Sequence, residues 1–485
     1  MMDSVSVSIS TVSGRAALRF EADFPLTVQQ DSEEITGQDW EIQLPTWRPG
    51  RYELGNFAQY ILKMVGVDPI GNEVVLQKVN LHRWKVPAGI SKIVWDFQAD
   101  ILNAGSTYIS TDLQYVNPVN CFIYDPTREY LPYIIYLSDI PENWDIATAL
   151  PKEGTTLFAA NMQHLMDSPW MASPKLWHTE YQVVDEEKVV DFHVWSYGLE
   201  PPKKERFIQD HIDFSKSQIK YFGTFPTPFY HFLYILPAER EVRHGVEHED
   251  STVIALGPAD KINSDFGYDE LVAIASHELY HSWNVKRIRP AEWMPYDFTK
   301  ACPSRLGYIA EGVTTYMGDL FLFKAGCIDI KGWCMKMEGL ISRHLNNPGR
   351  HNLSVADSSY DTWLDGYRPG VKGRKGSIYV EGAICAFICD VRIMTETDNK
   401  SSLSTAMSIL WERFGKSKKG LTADEYWSVL AEVAGTSLDG LRKKYADGTC
   451  DTWEDLVLSM KANGIELTRT VDEKGITTPI LTPLP

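Results

Sequence analysis

The chain has 485 residues, 44% of them hydrophobic and 23% charged, which is ordinary globular composition but too long for one hydrophobic core. A net charge of −18 argues against nucleic acid or an anionic membrane as partner, and no run of about eighteen apolar residues predicts a membrane span. Seven cysteines without a C-x-x-C pair do not form a disulfide framework, and Cys385 and Cys389 read as small core residues one helical turn apart.

The amino terminus, Met1 to Ser10, has no basic region before an apolar core and alternates as a strand does. A cytoplasmic chain is expected, although a processed secreted chain would read the same. Up to about Pro169 the pattern is short β-rich runs: Val5 to Ile9, Ala16 to Phe20, Trp40 to Leu44, Tyr60 to Val67, Glu73 to Leu76 and Lys92 to Phe97. Turn residues separate them, so residues 1–169 read as an all-β, sandwich-like domain. Asp112, Asn117 and Asn120 fit turn and strand ends there better than a catalytic set. Strand-like runs at Val183 to Tyr197 and Phe229 to Leu236 flank a helical stretch around Lys203 to Tyr221.

The most informative stretch is His277-Glu278-Leu279-Tyr280-His281, an H-E-x-x-H segment. Leu271, Val272, Ile274, Ala275 and Leu279 keep a helical period, and Asp269 and Glu270 suit a helix start. On that helix His277 and His281 stand one turn apart and can bind one zinc ion, whereas two half-buried histidines on a core helix are the plain alternative. Glu278 lies about 100° around the helix from His277, where it can hold a water without coordinating the metal.

A catalytic zinc site needs a third protein ligand. Glu311, in Ala310-Glu311-Gly312 of a helical run from about Arg305, is preferred to its rivals Glu292 and Asp297, which lie in a Pro-containing loop. Asp319, two turns beyond Glu311, is a candidate to orient a ligand histidine. Lys286, Arg287 and Arg289 read as surface ion-pairing residues beside Glu292 and Asp297. From Trp333 to about Gly464 the pattern is helical, interrupted by a polar loop from Asn346 to Ser377. Its Gly370 to Ser377 run fails phosphate-loop spacing and reads as a flexible cleft rim.

With these residues in view the chain resembles the glycyl aminopeptidase family of zinc metallopeptidases, gluzincins with a thermolysin-like catalytic domain. The resemblance rests on Leu44 to Tyr52, Asp167-Ser168-Pro169, Gly245 to His248, His277 to Arg287, Ala310 to Thr314, Ser358 to Trp363 and Tyr379 to Gly382, in the family's order. It implies an α+β multidomain fold: an N-terminal all-β domain (1–169), a thermolysin-like catalytic domain (170–330), a helical part completing the active site (331–465) and a tail (466–485). It implies one Zn2+ per chain on His277, His281 and Glu311, with Glu278 as general base. Glu247 would bind the substrate's α-amine on a strand that also carries Gly245, where the family usually has two glycines. Tyr379 would steady the tetrahedral intermediate.

The expected activity is an aminopeptidase acting on peptides with a free amino terminus, and a small first residue, Gly or Ala, is implied by the family alone. A zinc endopeptidase and a non-catalytic peptide-binding homologue are the alternatives. Many members carry a C-terminal PDZ domain; too few residues follow Gly464 for one, so no PDZ-mediated partner is expected.

Overall fold

Period-2 alternation builds the first half of the molecule: in Val5–Thr11 the side chains of Val5, Val7 and Ile9 are buried and the intervening serines are half-buried. The computed structural model describes residues 4–26, 37–185, 188–368 and 370–484; the readings above for residues 1–3, 27–36, 186–187, 369 and 485 lie outside them. An eight-stranded sheet runs in the order Lys152–Glu153, Thr156–Ala159, Tyr133–Leu137, Val5–Thr11, Ala17–Asp23, Lys92–Gln98, Ile61–Val67 and Glu73–Val75. One pair, Val5–Thr11 with Tyr133–Leu137, is parallel. A three-stranded sheet (Trp40–Gln43, Arg83–Val86, Gln77–Asn80) and a four-stranded one (Asp145–Thr148, Trp170–Ser173, Gln114–Val116, Tyr108–Ile109) complete the β-rich part. Phe20 stacks on Trp95 at 5.0 Å between ring centres, and the Trp95 indole donates to the Cys121 carbonyl (2.8 Å), so this buried ring has its polar atom satisfied.

A further sheet, five-stranded and mixed, follows in the order Trp177–Asp185, Lys188–Gly198, Phe229–Leu236, Ser251–Gly257 and Val242–Glu247. Helix Lys204–Phe222 makes the crossover between the parallel strands Lys188–Gly198 and Phe229–Leu236 and buries Phe207, Phe214, Ile219 and Phe222. The short connection after Val242–Glu247 turns it back antiparallel to Ser251–Gly257, leaving it as the edge strand. Helices Asp265–Tyr280, Thr314–Lys324, Ile330–Leu345 and Ile378–Glu396 form the framework of the helical half. Cys385 and Cys389 are buried in its core as read, and all seven cysteines are free. Among the described residues no helix is long and apolar enough to cross a membrane.

Several expectations are corrected. The polar loop from Asn346 to Ser377 contains an 11-residue helix, Val355–Asp365, capped by the Ser354 side chain, which accepts from the Asp357 N–H (3.0 Å). Two of its cations are held internally, Arg374 on Asp361 and Lys375 on Asp365. The segment expected as a tail forms a hairpin, Ile465–Val471 with Thr477–Pro483, whose Ile465, Leu467 and Leu481 join the main core. Lys286, Arg287 and Arg289 are buried rather than surface residues: Lys286 pairs with Asp167 (2.6 Å), Arg287 with Asp250 (3.0 Å), and Arg289 lies over the Tyr296 ring (3.9 Å).

Asp167 is the polar pin between the β-rich part and the peptidase half. It accepts from the His248 ring nitrogen (3.0 Å) and the Glu249 N–H (3.1 Å) and meets the Lys286 ammonium. Burial alone would raise its carboxyl pKa, but the Lys286 charge and the His248 bond outweigh burial and hold it well below the ordinary 3.8. The stability this contributes is present above 3.8 and is lost as pH falls below it. Asp167→Asn is therefore expected to cost roughly 3–5 kcal/mol in denaturant unfolding at pH 7, because Lys286 keeps a buried charge without a partner. The gap from the parent should narrow as pH falls below 4, and a gap constant from pH 7 to pH 3 would contradict the assignment.

Candidate active site

Helix Asp265–Tyr280 begins four residues before the expected acids. Ser264 caps it, its hydroxyl accepting from the Gly267 N–H (2.9 Å), while Glu270 pairs instead with Arg243 and Lys261. Its Leu271, Val272, Ala275 and Leu279 are buried, and His277 and His281 leave its last turn side by side with their Nε2 atoms 3.0 Å apart. The Nδ1–H of His281 donates to the Asn284 carbonyl (2.7 Å), which leaves Nε2 as the nitrogen facing His277 and available to a metal in exchange for its proton. Asn284 in turn donates to the Ile309 carbonyl (2.9 Å), which ties the end of this helix to the next element.

That next element departs from the α-helix expected from Arg305. Tyr308–Val313 is a π-helical turn, leading into Thr314–Lys324. A wide turn shifts side chains relative to α-helical spacing, and here Glu311 is buried with Oε2 at 3.4 Å from His281 Nε2 and 3.7 Å from His277 Nε2. Its other oxygen accepts from the Tyr52 hydroxyl (2.5 Å), a contact contributed by the β-rich part across 259 positions of sequence. Glu292 accepts instead from Ser304 (3.1 Å) and Asp297 from Thr299 (2.6 Å). Asp319 is half-exposed and paired with Lys336 (2.9 Å); the residue before it, Gly318, is the one packed on the His277 backbone.

Two more carboxylates close the site. Glu278 is buried, with one oxygen where a side chain at Gly245 would be (2.2 Å from an added Cβ) and the other without a partner. Glu247, at the end of the edge strand Val242–Glu247, is 3% exposed, lies against Gly50 in the same way (2.4 Å), and also has an unpartnered oxygen. Gly50 takes a positive φ of 74°, a conformation glycine adopts freely. Ligand atoms of Glu247, Glu278 and His281 also lie within 4.8 Å of one another.

These charges set one another's protonation. Burial and the neighbouring Glu247 and Glu311 push the Glu278 carboxyl well above the ordinary range, despite the opposing pull of His281. Burial works against a charged His281, yet Glu311, Glu247 and Glu278 together bring its pKa up to about 10, and burial lowers that of His277. Burial and the Glu311 charge hold the Tyr379 phenol well above 10 and so protonated; it lies 3.3 Å from the Tyr367 hydroxyl. Two imidazoles and a carboxylate with converging lone pairs, inside a ring of buried negative charge, suit a divalent cation of the zinc class.

Tyr379 reaches this place because the helix carrying it crosses the π-helical turn at very close range. An added Cβ at Gly312 would lie 2.3 Å from Gly382 Cα, and one at Gly382 2.5 Å from the Tyr308 carbonyl oxygen. Ser377 caps that helix, accepting from the Val380 N–H (3.4 Å). Tyr52, Asn284 and the Gly312–Gly382 crossing were not singled out as site features from sequence; only Gly312 beside Glu311 hinted at the crossing. Gly382→Ala is expected to separate the two elements, lowering Tm by several degrees and weakening zinc retention together. Unchanged Tm and zinc content would contradict the crossing.

The family model described as M61 glycyl aminopeptidase matches residues 270–385, and that described as the peptidase M61 N-terminal domain matches residues 21–174. Together they span more than half of the chain. No curated protein matches. Among solved structures, an aminopeptidase N family protein from Idiomarina loihiensis superposes with a TM-score of 0.85 at 21% identity, covering 98% of this chain and 81% of that one. A mutant M1 zinc metallopeptidase from Deinococcus radiodurans, bound to a Tyr-Ser-Ala substrate, gives 0.55 at 10% identity, covering 93% and 94%. Legionella pneumophila aminopeptidase A in complex with aspartic acid gives 0.54 at 11%, covering 99% of this chain and 52% of that one. These three share the fold, and with both family models in register with the β-rich half and the H-E-x-x-H half, the chain belongs to the M61 glycyl aminopeptidase family of metallopeptidases.

Proposed function

We propose that the chain is a zinc-dependent aminopeptidase that removes small first residues, glycine or alanine, from peptides with a free amino terminus. The observation that carries this reading is the pairing of two arrangements. His277, His281 and Glu311 converge on one point, and two buried carboxylates beside it, Glu278 and Glu247, each keep an oxygen without a partner. An unpartnered buried carboxylate oxygen is costly unless a ligand meets it.

His277, His281 and Glu311 would hold one zinc ion. When bound, zinc supplies a Lewis acid that lowers the pKa of water and polarises a carbonyl. Glu278, one residue from a ligand and held clear of the ligand set by Gly245, takes a proton from the attacking water and carries it to the leaving amine. Without a cation beside it the buried Glu278 carboxyl is raised toward its neutral form; a bound dication would favour the carboxylate that receives the proton. The protonated Tyr379 hydroxyl donates to the oxygen on which negative charge develops, an interaction stronger in the transition state than before it. Glu247 accepts from the substrate ammonium and thereby sets the cut one residue in. Gly245 keeps the edge strand close enough to Glu278 for both tasks to meet on one peptide.

Solved relatives of the fold were captured with a Tyr-Ser-Ala substrate and with aspartic acid, which supports a peptide amino terminus as the ligand class. Glu278→Gln is expected to retain one zinc per chain by atomic absorption while losing turnover on a Gly-initiated peptide by 10²-fold or more. Glu311→Gln should lose zinc first, with turnover following. Loss of zinc from the Glu278 variant, or full zinc content in the Glu311 variant, would contradict the assigned roles.

A further inference from the structure

Beside the 48–51 turn lies a cavity of about 400 Å³ whose polar wall carries three guanidiniums, Arg48, Arg51 and Arg368, against one carboxylate, Glu53. This is a cationic lining in a chain of net charge −18. Glu53 is already engaged, by Arg51 and by the Tyr367 N–H (3.3 Å). Arg48 is only 4% exposed, and its guanidinium meets the Pro49 carbonyl (3.1 Å) and His244 Nε2 (3.2 Å) but, among the described residues, no carboxylate. Glu247 acts on its charge through space but forms no ion pair with it, so the buried guanidinium lacks a contacting anion, which a ligand carboxylate can supply. His244 does not supply it: its Nδ1 faces Asn103 Oδ1 (3.3 Å), and burial beside Arg48 and Arg51 holds the ring neutral.

The cavity also offers a directional contact. Asn120 is 3% exposed; its amide donates to the Gly105 carbonyl (2.9 Å), and its Oδ1 has no partner. That oxygen can accept a peptide N–H. The lining also includes the rings of Phe57 and Phe97. The cavity is continuous in sequence with the amine site, since Gly50, which abuts the Glu247 carboxylate, sits between Arg48 and Arg51.

We propose that this cavity binds a carboxylate of the peptide substrate, through Arg48, Arg51 and Arg368, while Glu247 holds the ammonium. The proposal rests on the aminopeptidase reading for the placement of the amine. A peptide spans about 3.3–3.6 Å per residue, so two sources of that carboxylate are within reach: the carboxyl end of a di- or tripeptide, and the side chain of an acidic residue near its start.

The test is kcat/KM of the zinc-loaded protein on two matched pairs. The pairs are Ala-Ala-Ala with its C-terminal amide, and Ala-Glu-Ala-amide with Ala-Gln-Ala-amide. A preference of roughly tenfold or more for the acid in the first pair assigns the cavity to the chain end, and in the second pair to the acidic side chain. Arg368→Gln and Arg51→Gln, both at exposed or half-exposed positions, should reduce that preference toward parity. Parity in both pairs with active enzyme overturns the carboxylate site and leaves the aminopeptidase reading standing. If no peptide is cleaved, the aminopeptidase reading fails on its own. Calorimetric binding of the same pairs then decides the cavity: tighter binding of an acid supports it, and equal or absent binding overturns it.

Discussion

Three carboxylates, Glu247, Glu278 and Glu311, are buried around two imidazoles, and holding that much like charge out of water is the constraint on which the structure depends. Left alone, such a cluster would protonate or swell. The electrostatics share the charge unevenly: the two histidines favour the ionised Glu311, and burial with its carboxylate neighbours pushes Glu278 toward its neutral form. A divalent cation among them would remove most of the strain, which makes the metal as much a matter of folding as of chemistry. The same crowding explains two glycines, Gly245 and Gly50, whose missing side chains are where carboxylate oxygens lie.

The β-rich half contributes directly to the site. Tyr52 donates to Glu311 and stacks on Trp293 (4.7 Å), Gly50 abuts Glu247, and Asp167 binds His248 and Lys286, so the cleft is assembled only when both halves are docked. Val285, Trp293, Tyr296, Phe298, Ala310 and Ile378 pack into the core of the β-rich half, and an apolar seam of that kind makes the docking rigid. A rigid seam suits chemistry in which small misplacements cost rate.

Much of this was legible in the sequence because its signals are local. Alternation located six of the eight described strands from Val5 to Gln98, with ends off by up to three residues, and missed Gln77–Asn80 and Arg83–Val86; helical period with H-E-x-x-H located the two histidines. Glu311 was chosen by a chemical need, a third ligand, and by the glycine after it. What sequence could not give was set by distance or by packing. The Tyr52 contact joins residues 259 positions apart, and the π-helical turn has no signature of its own. The cations at 286–289 look like surface charge until Asp167, Asp250 and Tyr296 are seen around them. Asp319 has helical spacing from Glu311 that the wide turn spoils, so it ends beside Lys336. The tail and the long loop each hid an element whose apolar residues are few: Leu467 and Leu481 in the hairpin, Val355 and Ala356 in the helix.

The central claim is that Glu247 recognises a free ammonium one residue from the point of attack. It is tested most directly by hydrolysis of a Gly-initiated peptide and its N-acetylated twin by the zinc-loaded protein, with a chelator control. The account predicts chelator-sensitive cleavage of the free peptide alone, with release of glycine. Equal cleavage of both peptides would contradict it and make the protein an endopeptidase in which the Glu247 carboxylate serves the structure.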